Sequence, residues 1–111
     1  MTGRLELWLY GAQRLSAMVL APLVIVHLGT MIYAIQDGLT AAEILGRTQG
    51  SLLWAVFYGL FVVAAAVHGA IGLRSITREM TPWRGRSLDM AAMAFCVLIL
   101  ALGFRAVGAV T

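Results

Sequence analysis

The sequence predicts an all-α membrane protein: three transmembrane helices behind a short interfacial N-terminal helix, with the N-terminus cytoplasmic. Two observations predict it. Apolar residues make up 61% of the 111 residues and mean hydropathy is +0.91, whereas soluble domains hold about 45–50% apolar residues. Three apolar stretches, 16–35, 52–73 and 88–108, each reach the roughly 20 residues that a helix needs to cross the hydrocarbon layer. Lipid offers no hydrogen-bond partner to an open sheet edge, so these stretches are expected to be helices rather than strands.

In chain order, the leading segment carries Arg4 and Glu6 inside its apolar run, and no small-x-small site follows a proper apolar core. It therefore does not read as a cleaved signal. Leu5, Trp8, Leu9 and Ala12 fall on one side of a helix, the pattern of a segment lying in the interface. The first span contains Pro22, which removes one helical hydrogen bond and offers a site for a kink just before His27. The second span carries His68 and runs out at Arg74. The third holds Cys96, the sole cysteine, so no disulfide can form within the chain. A buried thiol behaves as a small hydrophobe, and Cys96 reads as packing, as do Met18, Met31, Met90 and Met93. The spans use every apolar stretch. Residues 1–111 are expected to form one transmembrane anchor domain, with any water-side chemistry belonging to a partner.

All eight basic residues are arginines. Arg4 and Arg14 stand against Glu6 in the first segment; Arg74, Arg78, Arg84 and Arg86 stand against Glu79 and Asp89 in the second connection; the first connection has only Arg47, with Asp37 and Glu43. The positive-inside rule then puts the N-terminus and second connection on the cytoplasmic side and the C-terminus on the other. Arg105 is expected to snorkel from the outer end of the third span.

The chain has two histidines, His27 and His68, and both fall inside spans. Polar groups at such depth are costly, and an ionisable one is by default a functional candidate. A bland alternative exists: a neutral imidazole donating to a carbonyl or hydroxyl of a neighbouring helix. Against it stands the fact that neutral imidazole is also the usual axial ligand of haem iron. Around His68 the same-face neighbours are Ala64, Ala65, Ile71 and Gly72, with Gly69 adjacent. Small residues there suit either a flat macrocycle or close helix packing. His27 has the bulkier Leu23, Val24, Thr30 and Met31. At about 1.5 Å per residue, His27 lies roughly 20 Å beyond Arg14 and His68 roughly 9 Å before Arg74. The two are therefore expected to serve different haems. Arg14 and Arg74, flanking the spans on the cytoplasmic side, are placed to clamp haem propionates.

These residues resemble a family, the small cytochrome b membrane-anchor subunits of succinate:quinone oxidoreductases and quinol:fumarate reductases. The resemblance rests on three spans, the run Gln13-Arg14-Leu15-Ser16 before the first, His68, Gly72 and Arg74 closing the second, and the carboxylate Glu79 eleven residues after His68. It implies a complex with a flavoprotein subunit, an iron–sulfur subunit and a second membrane anchor or second copy of this chain. It also implies haem b bound through His68, propionates near Arg14 and Arg74, and quinone near Arg14 and Ser16, with Glu79 a further candidate. Anchors of this kind with two haems resemble this chain in placing a histidine where His27 stands. The implied function is to pass electrons between the iron–sulfur subunit and the quinone pool, as a non-flavin subunit of succinate dehydrogenase or fumarate reductase in the bacterial inner membrane. Membrane lipid is an expected neighbour; nucleic acid is not. The chain departs from the family pattern in having Met80 after the carboxylate, and Gln13 and Ala17 where the family's His-Arg-x-Ser-Gly has histidine and glycine; Trp83 is a candidate substitute quinone contact. Two other readings differ in class. One is a haem-free helical anchor or assembly protein; the other is a proton-linked transporter, disfavoured because no intramembrane carboxylate offers a relay.

Overall fold

A computed structural model describes residues 2–111, and they are helical throughout apart from short connections. The order is α1 (Thr2–Gln36), α2 (Ala41–Thr48), α3 (Leu52–Met80) and α4 (Arg86–Val110). Three of these, α1, α3 and α4, are long and apolar enough to cross a membrane.

The leading segment is not the separate interfacial helix that the one-sided pattern of Leu5, Trp8, Leu9 and Ala12 predicts. It forms the first turns of α1, which runs unbroken for 35 residues and passes through Pro22. The physical reason lies across the bundle, where Arg74 and Arg78 neutralise Glu6. Helix α1 stops at Gly38, whose φ of 65° lets the amides of Gly38 and Leu39 turn back onto the carbonyls of Ile35 and Ala34.

Helix α2 was not foreseen. Thr40 and Glu43 form a capping box at its start, each satisfying a backbone amide of the other. Its last residue, the buried Thr48, donates its hydroxyl to the Val110 carbonyl at 2.6 Å. The Gly50 amide bonds to Thr111 beside it, so the connection is tied to the end of α4.

Ser51 caps α3 by accepting from the Trp54 amide. The helix outruns its apolar stretch by two turns, through Arg74, Arg78 and Glu79, because arginine and glutamate are good helix formers. It stops at Thr81, before Pro82, where the pre-proline residue is forced out of helical geometry.

Helix α3 is central, packing on both α1 and α4, which scarcely touch one another. Its contact faces are made of small residues: Ala64, Ala66 and Ala70 are buried, Gly69 meets Phe95 of α4, and Gly72 meets Gln13 of α1. Small side chains let backbones approach closely, which is how helices associate where lipid is as apolar as leucine. The three helices thus form an open layer, whose mid-region carries both histidines in the seam between α1 and α3.

Candidate functional site

His68 faces α1. Its Nδ1 lies 3.4 Å from the hydroxyl of Ser16, and Ser16 in turn donates to the Gln13 carbonyl at 3.0 Å. Ser16 is buried, at 6% exposure, while His68 is half-buried. This contact is the only hydrogen bond of His68 among the described residues. The small neighbours Ala64, Gly69 and Gly72 are absorbed in helix packing, as above.

His27 comes from α1 in the other direction. Its ring meets Tyr58 and Phe61 edge-on, with centroids 5.9 and 5.3 Å away. Its Nδ1 is buried without a hydrogen-bond partner among the described residues. Beside it opens an apolar cleft of about 350 Å3 lined by Ile44, Tyr58, Phe61, Val62 and Gly103 among others. Tyr58 and Phe61 precede His68 by ten and seven residues on α3, which separates the two imidazoles by about 10–15 Å along the helix.

At the opposite end of the seam from α2, a cluster not anticipated from the sequence closes the bundle. The Arg74 side chain, 9% exposed, donates from Nε to Asp89 at 2.7 Å and from a terminal nitrogen to Glu6 at 2.8 Å; Arg78 holds the same Glu6 oxygen at 2.7 Å. Helices α1, α3 and α4 are thereby joined through one guanidinium. Arg74 also lines a more polar cleft of about 490 Å3 with Glu6, Tyr10, Gln13 and Ser75. In that region the Gln13 side-chain oxygen is buried and unpaired among the described residues.

The remaining sequence candidates lie apart. Arg14 is exposed and packs over the Tyr10 ring, 5.7 Å from its centroid. Glu79 is exposed. Trp83 is half exposed and donates from its indole to Ser87 at 2.7 Å. Of the residues singled out from sequence, the fold brings His68 and Ser16 into contact and leaves Arg14, Glu79 and Trp83 on the periphery.

The donor set fits an imidazole ligand to iron best at His68. A ligating histidine keeps one ring nitrogen for the metal and commits the other to a protein partner. His68 has that division, Nδ1 with Ser16 and the second nitrogen without a partner among the described residues. His27 has its ring fixed by aromatic contacts and lacks an orienting bond.

Residues 1–107 match the family model of the succinate dehydrogenase/fumarate reductase transmembrane subunit. The chain belongs to this family. Neither a curated protein nor a solved structure matches it. The protein is therefore an integral membrane subunit of the succinate dehydrogenase/fumarate reductase family, whose complexes are oxidoreductases. The match takes in α1, α2, α3 and most of α4, including both histidines and the arginine cluster.

Proposed function

We propose that this transmembrane subunit is a haem b-binding anchor that carries electrons between an iron–sulfur subunit and quinone, with His68 as an axial ligand. The observation that carries the reading is the divided imidazole of His68: Nδ1 engaged by Ser16, the other nitrogen unengaged by protein. A b-type haem supplies one-electron redox chemistry, and the protein tunes it through axial ligation, burial and hydrogen bonding. The chain's own residues hold and orient that group. His68 provides the nearer ligand and His27 a ligand to a second haem farther from the arginine-rich end. The Gln13 amide and Arg74, which keeps Glu6 and Asp89 as partners, line the polar cleft and are the groups for a propionate; Arg14, exposed over Tyr10, is a further candidate from outside that cleft. The exposed residues Glu79 and Trp83, with Ser16 deeper in the seam, are the candidates for the quinone side.

The partners implied are a flavoprotein subunit, the iron–sulfur subunit and a second anchor or second copy, surrounded by lipid. The N-terminus and the α3–α4 connection then face the cytoplasm, in keeping with their arginines, and the location is the bacterial inner membrane.

A haem-free anchor is the second reading, favoured by two observations: Ala64, Gly69 and Gly72 serve helix packing, and the Ser16 hydroxyl already gives His68 a polar partner. The reduced-minus-oxidised spectrum of the purified complex separates the two. The expected result is a b-type signal that His68→Ala diminishes while the subunit still inserts. A wild-type complex without such a signal leaves the haem-free anchor standing.

A further inference from the structure

Ser16 stands on α1 at the head of the apolar stretch and is buried, where a hydroxyl needs a reason. Its single proton is committed: Oγ is 3.0 Å from the Gln13 carbonyl, one turn back, the usual refuge of a serine inside a helix. Toward His68 the oxygen can then present only a lone pair, at 3.4 Å from Nδ1, the long end of the hydrogen-bonding range. A lone pair facing Nδ1 is satisfied only by a proton on Nδ1. In a neutral imidazole the other nitrogen, Nε2, then carries the free lone pair.

We infer that Ser16 is a positioning residue that fixes His68 in the Nδ1-protonated tautomer, leaving Nε2 as the electron-pair donor. This rests on the reading of His68 as an axial ligand, and it moves Ser16 from the quinone side to the support of that ligand. The relay is short: Gln13 carbonyl, Ser16 hydroxyl, His68 Nδ1. Because the carbonyl draws on the hydroxyl proton, the serine oxygen becomes a better acceptor, and the imidazole a more basic donor at Nε2.

The chain carries its own comparison. His27 lies in the same seam, yet its Nδ1 is buried with no partner among the described residues. Only one of the two imidazoles is prepared in this way, so the effect of Ser16 must be confined to His68. The rival arrangement has the serine proton turned onto Nδ1, which would leave Nε2 protonated and unable to ligate. The shorter Ser16–Gln13 distance, 3.0 against 3.4 Å, favours the first arrangement.

With only two histidines, the nitrogen signals of the full chain labelled with 15N-histidine in lipid bilayers are assignable by comparing the wild type with His27→Leu. The expected spectrum at a pH where both rings are neutral has His68 protonated at Nδ1 and bare at Nε2. Ser16→Ala should shift that population toward Nε2–H, and Ser16→Thr should restore it, while His27 signals do not move. In the assembled complex, Ser16→Ala should raise the midpoint potential of the haem held by His68, since a less basic ligand stabilises the oxidised iron less, and Ser16→Thr should return it. A wild-type His68 protonated at Nε2, or a tautomer indifferent to Ser16→Ala, overturns the proposal. A complex that lacks haem in the wild type overturns the ligand reading instead, and the tautomer measurement tells the two failures apart.

Discussion

Gly103 shows how little room one position can have. A Cβ built there would collide with the side chain of Val62, while Gly59, also on the α3–α4 contact, would meet Phe104 at an ordinary 3.6 Å. Overpacking of this kind costs about 1–3 kcal/mol. Gly103→Ala is therefore expected to lower the thermal midpoint of the detergent-solubilised complex, and Val62→Ala in the same chain to recover most of the loss; Gly59→Ala should be close to neutral. Nothing in the sequence separates these two glycines, because the difference is made by the register of α4 against α3. The same limit applied at the candidate site. His68 and Ser16 were each conspicuous as polar groups in apolar helices, but they are 52 residues apart, and their contact depends on how α1 and α3 slide past each other. Gln13, with its orphaned oxygen, had no signal at all beyond its place in the run before the first span.

Among the elements, the arginine cluster decides how the helices are held at one end. Its charges were legible as orientation signals; their pairing was not, since Glu6, Arg74 and Asp89 come from three different helices. That pairing also explains why α1 begins as one continuous helix through a segment whose one-sided Leu5, Trp8, Leu9 and Ala12 looked interfacial. Arg74 is 9% exposed but its carboxylate partners are about 40% exposed, at 41% and 38%. The cost of removing it should therefore lie between that of a surface pair, about 0–1 kcal/mol, and that of a buried one, about 3–5 kcal/mol. We expect Arg74→Gln to destabilise the subunit by about 2 kcal/mol. Glu6→Gln should cost less, because Asp89 still engages the guanidinium. In a double-mutant cycle of Glu6→Gln and Arg74→Gln, read from denaturation in mixed micelles, the coupling should be clearly positive; additive effects would mean that the cluster does not join α1 to α3. The span positions themselves were well marked by hydropathy. Their ends were not, because a helix stops at a cap, at Gly38 or before Pro82, rather than where apolar residues run out.

At the scale of the molecule, α1 and α4 flank α3 in an open layer and leave broad apolar faces, among them Trp8, Met18 and Ile25 on α1 and Met93, Val97 and Leu102 on α4. Lipid can cover such faces at no cost, but the two-haem reading requires more. Low-spin b-type iron takes two axial ligands, and the chain has one histidine at each of two levels about 10–15 Å apart along α3. On that reading a second anchor or a second copy would supply one ligand at each level, and His68 and His27 would each hold a different haem. On the proposed reading the arginine-rich end is the end where the soluble subunits dock. A cysteine introduced by Arg84→Cys in a Cys96→Ala chain should accordingly react from the cytoplasmic side of intact vesicles; reaction from the opposite side would overturn the orientation. The haem count is the sharper test. Pyridine haemochrome analysis should give two haems b per complex, and His27→Leu should remove only the one farther from the arginine cluster, because the His27 ring is held by Tyr58 and Phe61 and shares no hydrogen bond with the His68 and Ser16 pair. The remaining spectrum and its response to Ser16→Ala should be those of the His68 haem alone. One haem per wild-type complex, retained in the His27→Leu variant, would return His27 to a packing role against the α3 aromatics and leave His68 as the sole ligand of this chain.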